Sequence, residues 1–449
     1  MKNFYKIIII ILLMIGIGGF TSSKDRRSSE VRDKKVVATR TSSVLSGLPN
    51  GFWEVEGYGL VLEVDSGTTT VWQVTDSTCV KGDDDFVIDI RDSTAVGDGY
   101  VVTQDAVVTK YHLVPTKLPL THKDKAPVTN LCASLTALDE TFTTYYPFFT
   151  ARSFDWKDAL ANLEAKVGSD DNPKVFRSAL TSLTAKLGDG HTFVDEENNN
   201  SARSNAFLNR LDNDIEEAEA MIDRELRVTR KRLKPGSRKS GAGGYVVWGK
   251  LTSDVGYLGI DSFEEIGGEQ DDVTGDLKSL TEALCMAFAD IGDLPHLVLD
   301  IRFNEGGLEV TALLAAGYFV DFPAPAFVKY AFAAPERTCQ TVEITPSTTT
   351  PYSGQVILLT SPMTASAAEV FLLAVTGSTN AIVLGEPSAG EFGEVFDRVL
   401  PNGVSFAMSM EVYTTLNGIS YEAQGVPVDI PATYDKSIDT AIAMTKSFN

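Results

Sequence analysis

Two β-to-α units, close together in the chain, limit how it can fold more than any other feature. An apolar strand-like run over 355–359 passes through Thr360-Ser361-Pro362-Met363-Thr364-Ala365-Ser366 into an apolar helix-forming stretch over 369–375. A second β-type run, over 296–301, breaks at Gly306 and Gly307 and resumes as an apolar helix over 308–320. The alternation extends in both directions from Tyr245 onward, with predicted strands at 255–260, 297–301, 356–359 and 381–384 and helices at 272–291, 308–320 and 367–375. Strands and helices in this order predict right-handed βαβ crossovers and an α/β core, with reactive groups at the carboxyl ends of strands. Runs at 398–400, 404–412 and near Ile430 are expected to complete the sheet, and 435–447 a terminal helix.

Ser366 sits where a strand turns into a helix, so free N–H groups and the positive end of the helix dipole converge on it. Taken alone, an ordinary N-cap is the better account of it, because Glu369 three residues on completes a capping box. Three other segments shift the balance. The Gly306-Gly307 pair lets backbone N–H groups approach a ligand and hold an oxyanion. Among the four histidines, only His191 lies in a Gly/Asp-rich turn, Gly188-Asp189-Gly190-His191, that could project an imidazole into a cleft. Glu422, in Ser420-Tyr421-Glu422-Ala423-Gln424-Gly425, supplies a carboxylate of the kind that orients a catalytic imidazole.

These segments, in this order, resemble the tail-specific or C-terminal-processing serine peptidase family, including the tricorn core and the repeats of interphotoreceptor retinoid-binding protein. The resemblance runs over about 140–435 and includes Tyr145-Tyr146-Pro147-Phe148-Phe149, Val255-Gly256-Tyr257-Leu258-Gly259-Ile260 and Gly425-Val426-Pro427-Val428-Asp429. It implies a ClpP/crotonase-like core. It further implies Ser366 as nucleophile, His191 as general base and Glu422 as the orienting carboxylate. The oxyanion hole would use the N–H of Ala367 with that of Gly306 or Gly307. In the branch that uses a Ser/Lys dyad, the lysine falls where this chain has Glu391, and a carboxylate cannot do the work of a neutral amine. The tricorn-like branch carries a serine directly before its histidine, where this chain has Gly190. Glu391 and Glu394 are near enough in sequence to compete with Glu422 for the orienting role.

The rest of the chain is read from composition. With 449 residues and 43% hydrophobic content, the chain can bury a sizeable core. A formal charge of −22 argues against nucleic-acid or anionic-membrane partners and for neutral or basic substrate segments. Lys2 and Lys6 precede an apolar run over 7–20, too short for a span of about 20 residues, so 1–23 reads as a cleaved signal peptide rather than an anchor. The expected location is therefore secreted or periplasmic. A flexible linker is expected at 24–46, a small β-rich domain at 47–125, a helical subdomain with a charged helical extension at 126–244, and the α/β catalytic core at 245–449. The extension over 198–232 reads first as a solvated helix, and the segment over 195–244 lacks the strands of a peptide-binding PDZ module. Cys79, Cys132, Cys285 and Cys339 show no metal spacing, and no metal or organic cofactor is implied. The expected function is hydrolysis of peptides or proteins through an acyl-enzyme. The alternatives are a non-catalytic binder of small apolar ligands or peptides on the same scaffold, and crotonase-like acyl chemistry.

Overall fold

The structure is a computed structural model that describes residues 48–82, 90–117, 131–169, 172–194, 215–267 and 272–446. The expected signal segment and linker lie outside these residues. The first described unit is an antiparallel sheet of β1 (Gly51–Val55), β2 (Leu60–Asp65), β3 (Thr68–Val74), β4 (Cys79–Lys81), β5 (Ile90–Val96), β6 (Gly99–Gln104) and β7 (Lys110–Thr116). Their order across the sheet is β4-β3-β2-β1-β7-β6-β5. One face of this sheet is apolar through Val55, Leu62, Val71, Val102 and Leu113, and it packs into the same cluster as the helices that follow.

Those helices are α1 (Leu131–Tyr145), α2 (Trp156–Val167) and α3 (Pro173–Leu187). Asp155 accepts from the Asp158 N–H and Asn172 from the Lys174 N–H, so a side chain caps the start of α2 and of α3. Pro173 fills the first turn of α3, where its missing N–H costs nothing. Gly188, left-handed at φ 74°, ends α3 and turns the chain toward His191, just before the short β8 (Phe193–Val194).

The helix α4 (Ile215–Arg230) leads into β9 (Lys239–Gly241), β10 (Val246–Lys250), β11 (Val255–Ile260), α5 (Val273–Ile291) and β12 (His296–Asp300). There follow α6 (Glu309–Ala316), β13 (Ala324–Ala331), β14 (Gln340–Ile344), β15 (Gln355–Thr360), α7 (Ala367–Ser378) and β16 (Ile382–Gly385). The chain ends with β17 (Val395–Val399), β18 (Ser405–Ser409), β19 (Glu411–Thr414), β20 (Ile430–Pro431) and α8 (Ser437–Thr445). The central sheet runs β20-β16-β15-β12-β11-β10-β9 and is parallel from β20 to β11. Its strands are apolar almost throughout, as burial on both faces requires. The helices α5, α6 and α7 cover one face and α8 the other. Among the described residues, no helix is long and apolar enough to cross a membrane.

The expected completion of this sheet by 398–400 and 404–412 is corrected. The run over 404–412 divides at Met410 into β18, paired with β17 and β8, and β19, paired with β13. Only β20 extends the central sheet. Period-two apolarity identifies a strand but not its partner. Here the break turns the Glu411 carboxylate toward a buried cation, Lys329, at 2.8 Å.

Two buried cations link the parts of the molecule. Lys329, fully buried, bonds Tyr413 at 2.6 Å and Glu309 at 3.2 Å as well as Glu411. Glu411 in turn accepts from Tyr58 and Thr109 of the N-terminal sheet, and Glu309 accepts from the Val108 N–H at 2.9 Å. Arg302, also fully buried, donates to Asp300, Thr229, Ser437 and the Tyr434 carbonyl, tying α4 and α8 to the end of β12. Arg302→Met would leave Asp300 charged and unpaired in the interior. Thermal and denaturant unfolding should show a loss of roughly 3–5 kcal/mol.

Candidate active site

The parallel register His296↔Gln355 through Asp300↔Leu359 sets the loops that follow β12 and β15 side by side. Ala365 N–H then bonds the Asn304 carbonyl at 3.2 Å, closing one loop on the other. Gly306 has φ 110°, and a Cβ there would lie 2.6 Å from the Ser366 Cβ and 2.9 Å from the Ala367 nitrogen. The glycine is required because the Ser366 turn occupies the space a side chain would take.

Ser366 adopts φ 56°, ψ −127°, and its side chain makes no cap to the helix. The N-cap alternative for its hydroxyl is thereby set aside. A non-glycine residue in this region carries about 1–3 kcal/mol of strain, which the surrounding bonds must impose. They include Ser366 N–H to the Glu391 carbonyl at 3.0 Å and the first bonds of α7 to the Ser366 carbonyl. Glu369, the other half of the expected capping box, accepts from the Gly390 and Glu391 N–H groups at 2.8 and 2.7 Å.

Of the expected oxyanion donors, Gly306 is corrected: its N–H bonds the Asn304 Oδ1 at 2.8 Å. The neighbouring Gly307 lies in a parallel bridge opposite Phe263, where the bonds run from Phe263 N–H to the Gly306 carbonyl and from Leu308 N–H to the Phe263 carbonyl. That pattern leaves the Gly307 N–H directed away from the bridge. Ala367 opens α7, so its N–H has no partner within the helix. Gly307, Ala367, Ser366 and His191 all line one cavity of about 340 Å³.

His191 reaches the cavity through an Asx turn, its N–H bonding Asp189 Oδ1 at 2.9 Å. Its Nδ1 lies 2.6 Å from the Gly393 carbonyl oxygen. A carbonyl only accepts, so Nδ1 carries the hydrogen and, in the neutral ring, Nε2 is the basic nitrogen.

The role expected for Glu422 is corrected in the same place. Its carboxylate pairs with Arg152 at 2.6 Å and accepts from the Phe392 and Gly393 N–H groups at 2.9 and 3.2 Å. It therefore fixes the strand of chain whose Gly393 carbonyl holds the imidazole, one step removed from the ring. The competing Glu391 and Glu394 also line the cavity, while the acceptor on Nδ1 remains the backbone.

Arg152, Asp189 and Tyr146 carry structural work that sequence reasoning did not assign. Arg152 donates to the Gly188 carbonyl and to Glu422, and lies 3.7 Å from Asp189, which also accepts from Tyr146 at 2.8 Å. Three carboxyl groups, Asp189, Glu391 and Glu422, thus act on one guanidinium. Burial opposes ionisation of Asp189, yet Arg152 and His191 hold it below its ordinary range. Burial, with weaker opposition from its hydrogen bonds, pushes Glu369 up to about 7. Burial and the Asp189 charge push Glu391 up to about 8. The helix α4, expected as a solvated face, instead turns Ile222, Leu226 and Arg230 into the cavity wall. Its charged residues dominated the sequence pattern, and the buried Met221, Ile222 and Leu226 were the legible sign to the contrary.

The class of protein, a serine-type peptidase, follows from the sequence of the core. The sequence profile of peptidase family S41 matches residues 254–432, which span the α/β core. A candidate peptidase from Parabacteroides merdae ATCC 43184 shares 21% identity and TM-score 0.55, over 72% of this chain and 97% of that one. A mutant of CPAF shares 12% identity and TM-score 0.50, over 70% of this chain and 95% of that one. At these identities the two structures speak for the fold alone.

The raised carboxyl at Glu391 sets a pH dependence. A group held above its ordinary value of 4.5 binds its proton more tightly in the folded state, so its contribution is complete below that value and lost as pH rises to about 8. In Glu391→Gln the melting temperature should decline less between pH 5 and 8 than in the parent protein. An unchanged slope would contradict the assignment.

Proposed function

We propose that this chain is an exported serine peptidase that cleaves peptide bonds through an acyl-enzyme at Ser366. In this reading His191 Nε2 takes the Ser366 hydroxyl proton as Oγ attacks the scissile carbonyl, then returns it to the departing amine. The tetrahedral oxyanion is received by the N–H groups of Gly307 and Ala367, each worth about 3 kcal/mol of transition-state stabilisation. Glu422 is a positioning residue acting through Gly393. One observation carries the reading: a serine forced into positive φ at a helix N-terminus shares a cavity with a histidine whose Nδ1 is already committed. Export rests on the apolar run behind Lys2 and Lys6, and substrate selection without a PDZ module rests on the helical character of α4. The expected PDZ-free segment lies partly outside the described residues.

Labelling of the mature protein with a fluorophosphonate probe, with the adduct located by mass spectrometry, tests the assignment. The adduct should fall on Ser366 and disappear in Ser366→Ala and in His191→Ala. Glu422→Gln should slow labelling on the order of 10²-fold, the cost of an imidazole that is misplaced rather than missing. A well-folded protein that takes up no probe would transfer the case to a binding role.

A further inference from the structure

The cavity's wall is one-sided in charge. Asp261, Glu264, Glu305, Glu309, Glu391 and Glu394 line it, against Arg230 and His191 as the basic residues. Arg230 is taken up by Asp261, and the Glu309 carboxylate by Lys329, Tyr413 and the Val108 N–H. Glu391 is different. Its backbone is pinned on both sides, its N–H by Glu369 and its carbonyl by the Ser366 N–H. The residue is 8% exposed. The carboxyl lies against Gly190, with Oε2 2.3 Å from where a Cβ on that residue would sit. Among the described residues, no protein donor hydrogen-bonds that carboxyl, and the nearby Arg152 charge only partly offsets its burial.

A buried carboxyl with no donor of its own, placed beside a nucleophile in an acid-lined cavity, is incomplete until something occupies the cavity. We infer that Glu391 is a specificity residue that receives a cationic side chain, lysine or arginine, from a peptide substrate close to the scissile bond. This deepens the peptidase reading and rests on it. The emptied site costs little, because burial and the neighbouring Asp189 keep the carboxyl protonated near neutral pH. An arriving ammonium or guanidinium stabilises the ionised form and forms a charge-assisted hydrogen bond in a water-poor setting. The same wall disfavours a substrate's free α-carboxylate, because its carboxyl groups face it and Arg230 is taken up by Asp261. Internal bonds flanked by a basic residue are therefore the substrate class this cavity fits. Gly190 belongs to the same arrangement: any side chain there would displace the Glu391 carboxyl.

The test measures binding without turnover, so that a silent enzyme does not obscure it. The full mature chain carrying Ser366→Ala is titrated with fluorescent peptides in which one lysine, moved through the two positions on either side of the scissile bond, is exchanged for norleucine. At one position lysine should bind at least about tenfold tighter than norleucine, and the ratio should fall to about one when Glu391→Gln is added. Equal binding of lysine and norleucine peptides at every position, by a folded protein, overturns the inference whether or not the Glu391 variant folds. Loss of the ratio in Glu394→Gln while Glu391→Gln retains it overturns the assignment to Glu391. Failure of the parent protein to take up a fluorophosphonate at Ser366 brings down the peptidase reading and this inference with it. Labelling without a lysine preference brings down the inference alone.

Discussion

The guanidinium of Arg152 is the point on which the site's geometry depends. The histidine and the serine are delivered by different parts of the molecule, each with its own apolar cluster: α3 and its following turn for His191, β15 and α7 for Ser366. Apolar packing fixes how closely these bodies approach but is poorly directional. Arg152 supplies the direction. It binds the Gly188 carbonyl on the histidine's side and Glu422 on the other, and it sits beside Asp189. Because these groups are out of water, loosening one would strand a charge. The imidazole and the Phe392-Gly393 segment that holds it are therefore positioned by a single cation.

The serine depends on a second constraint, the in-register parallel pairing of β12 and β15. Both loops emerge at the carboxyl ends of adjacent strands, so Gly306-Gly307 and Ser366 meet, and the Ser361 and Thr364 hydroxyls donate to the Arg302 and Ile301 carbonyls across them. The strain at Ser366 is maintained from three directions: the Asn304 carbonyl, the Glu391 carbonyl and the first turn of α7. That helix start then provides both a dipole and an N–H without a partner in the helix beside Ser366. The N-terminal sheet takes part as well, since the Glu309–Lys329–Glu411 network ties Tyr58 and Thr109 to the floor of the same cavity.

Much of this was legible in the chain because local chemistry determines it. The βα alternation located the central strands, and the Asp-Gly-His turn singled out His191. What escaped was set by partners distant in sequence. Nothing near Glu422 in the chain indicates that it serves Arg152, 270 residues away. Gly306 and Gly307 are alike in sequence, and only the Asn304 side chain distinguishes the committed N–H from the available one. Met410 carries no breaker signal, yet the strand divides there because Glu411 answers a buried lysine. The α4 helix was misread because its charges outnumber the few apolar residues that decide its packing.

The account's central claim is geometric: Ser366 Oγ, the N–H groups of Gly307 and Ala367, and a histidine held by Gly393 act on one atom. A crystal structure of the protein carrying a phosphonate adduct tests it most directly. The account predicts the phosphorus on Ser366 Oγ, the phosphonyl oxygen about 3 Å from both the Gly307 and Ala367 nitrogens, and His191 Nδ1 still on the Gly393 carbonyl. A phosphonyl oxygen held instead by the Gly306 N–H, or an imidazole released from Gly393 and bound by a carboxylate, would contradict it.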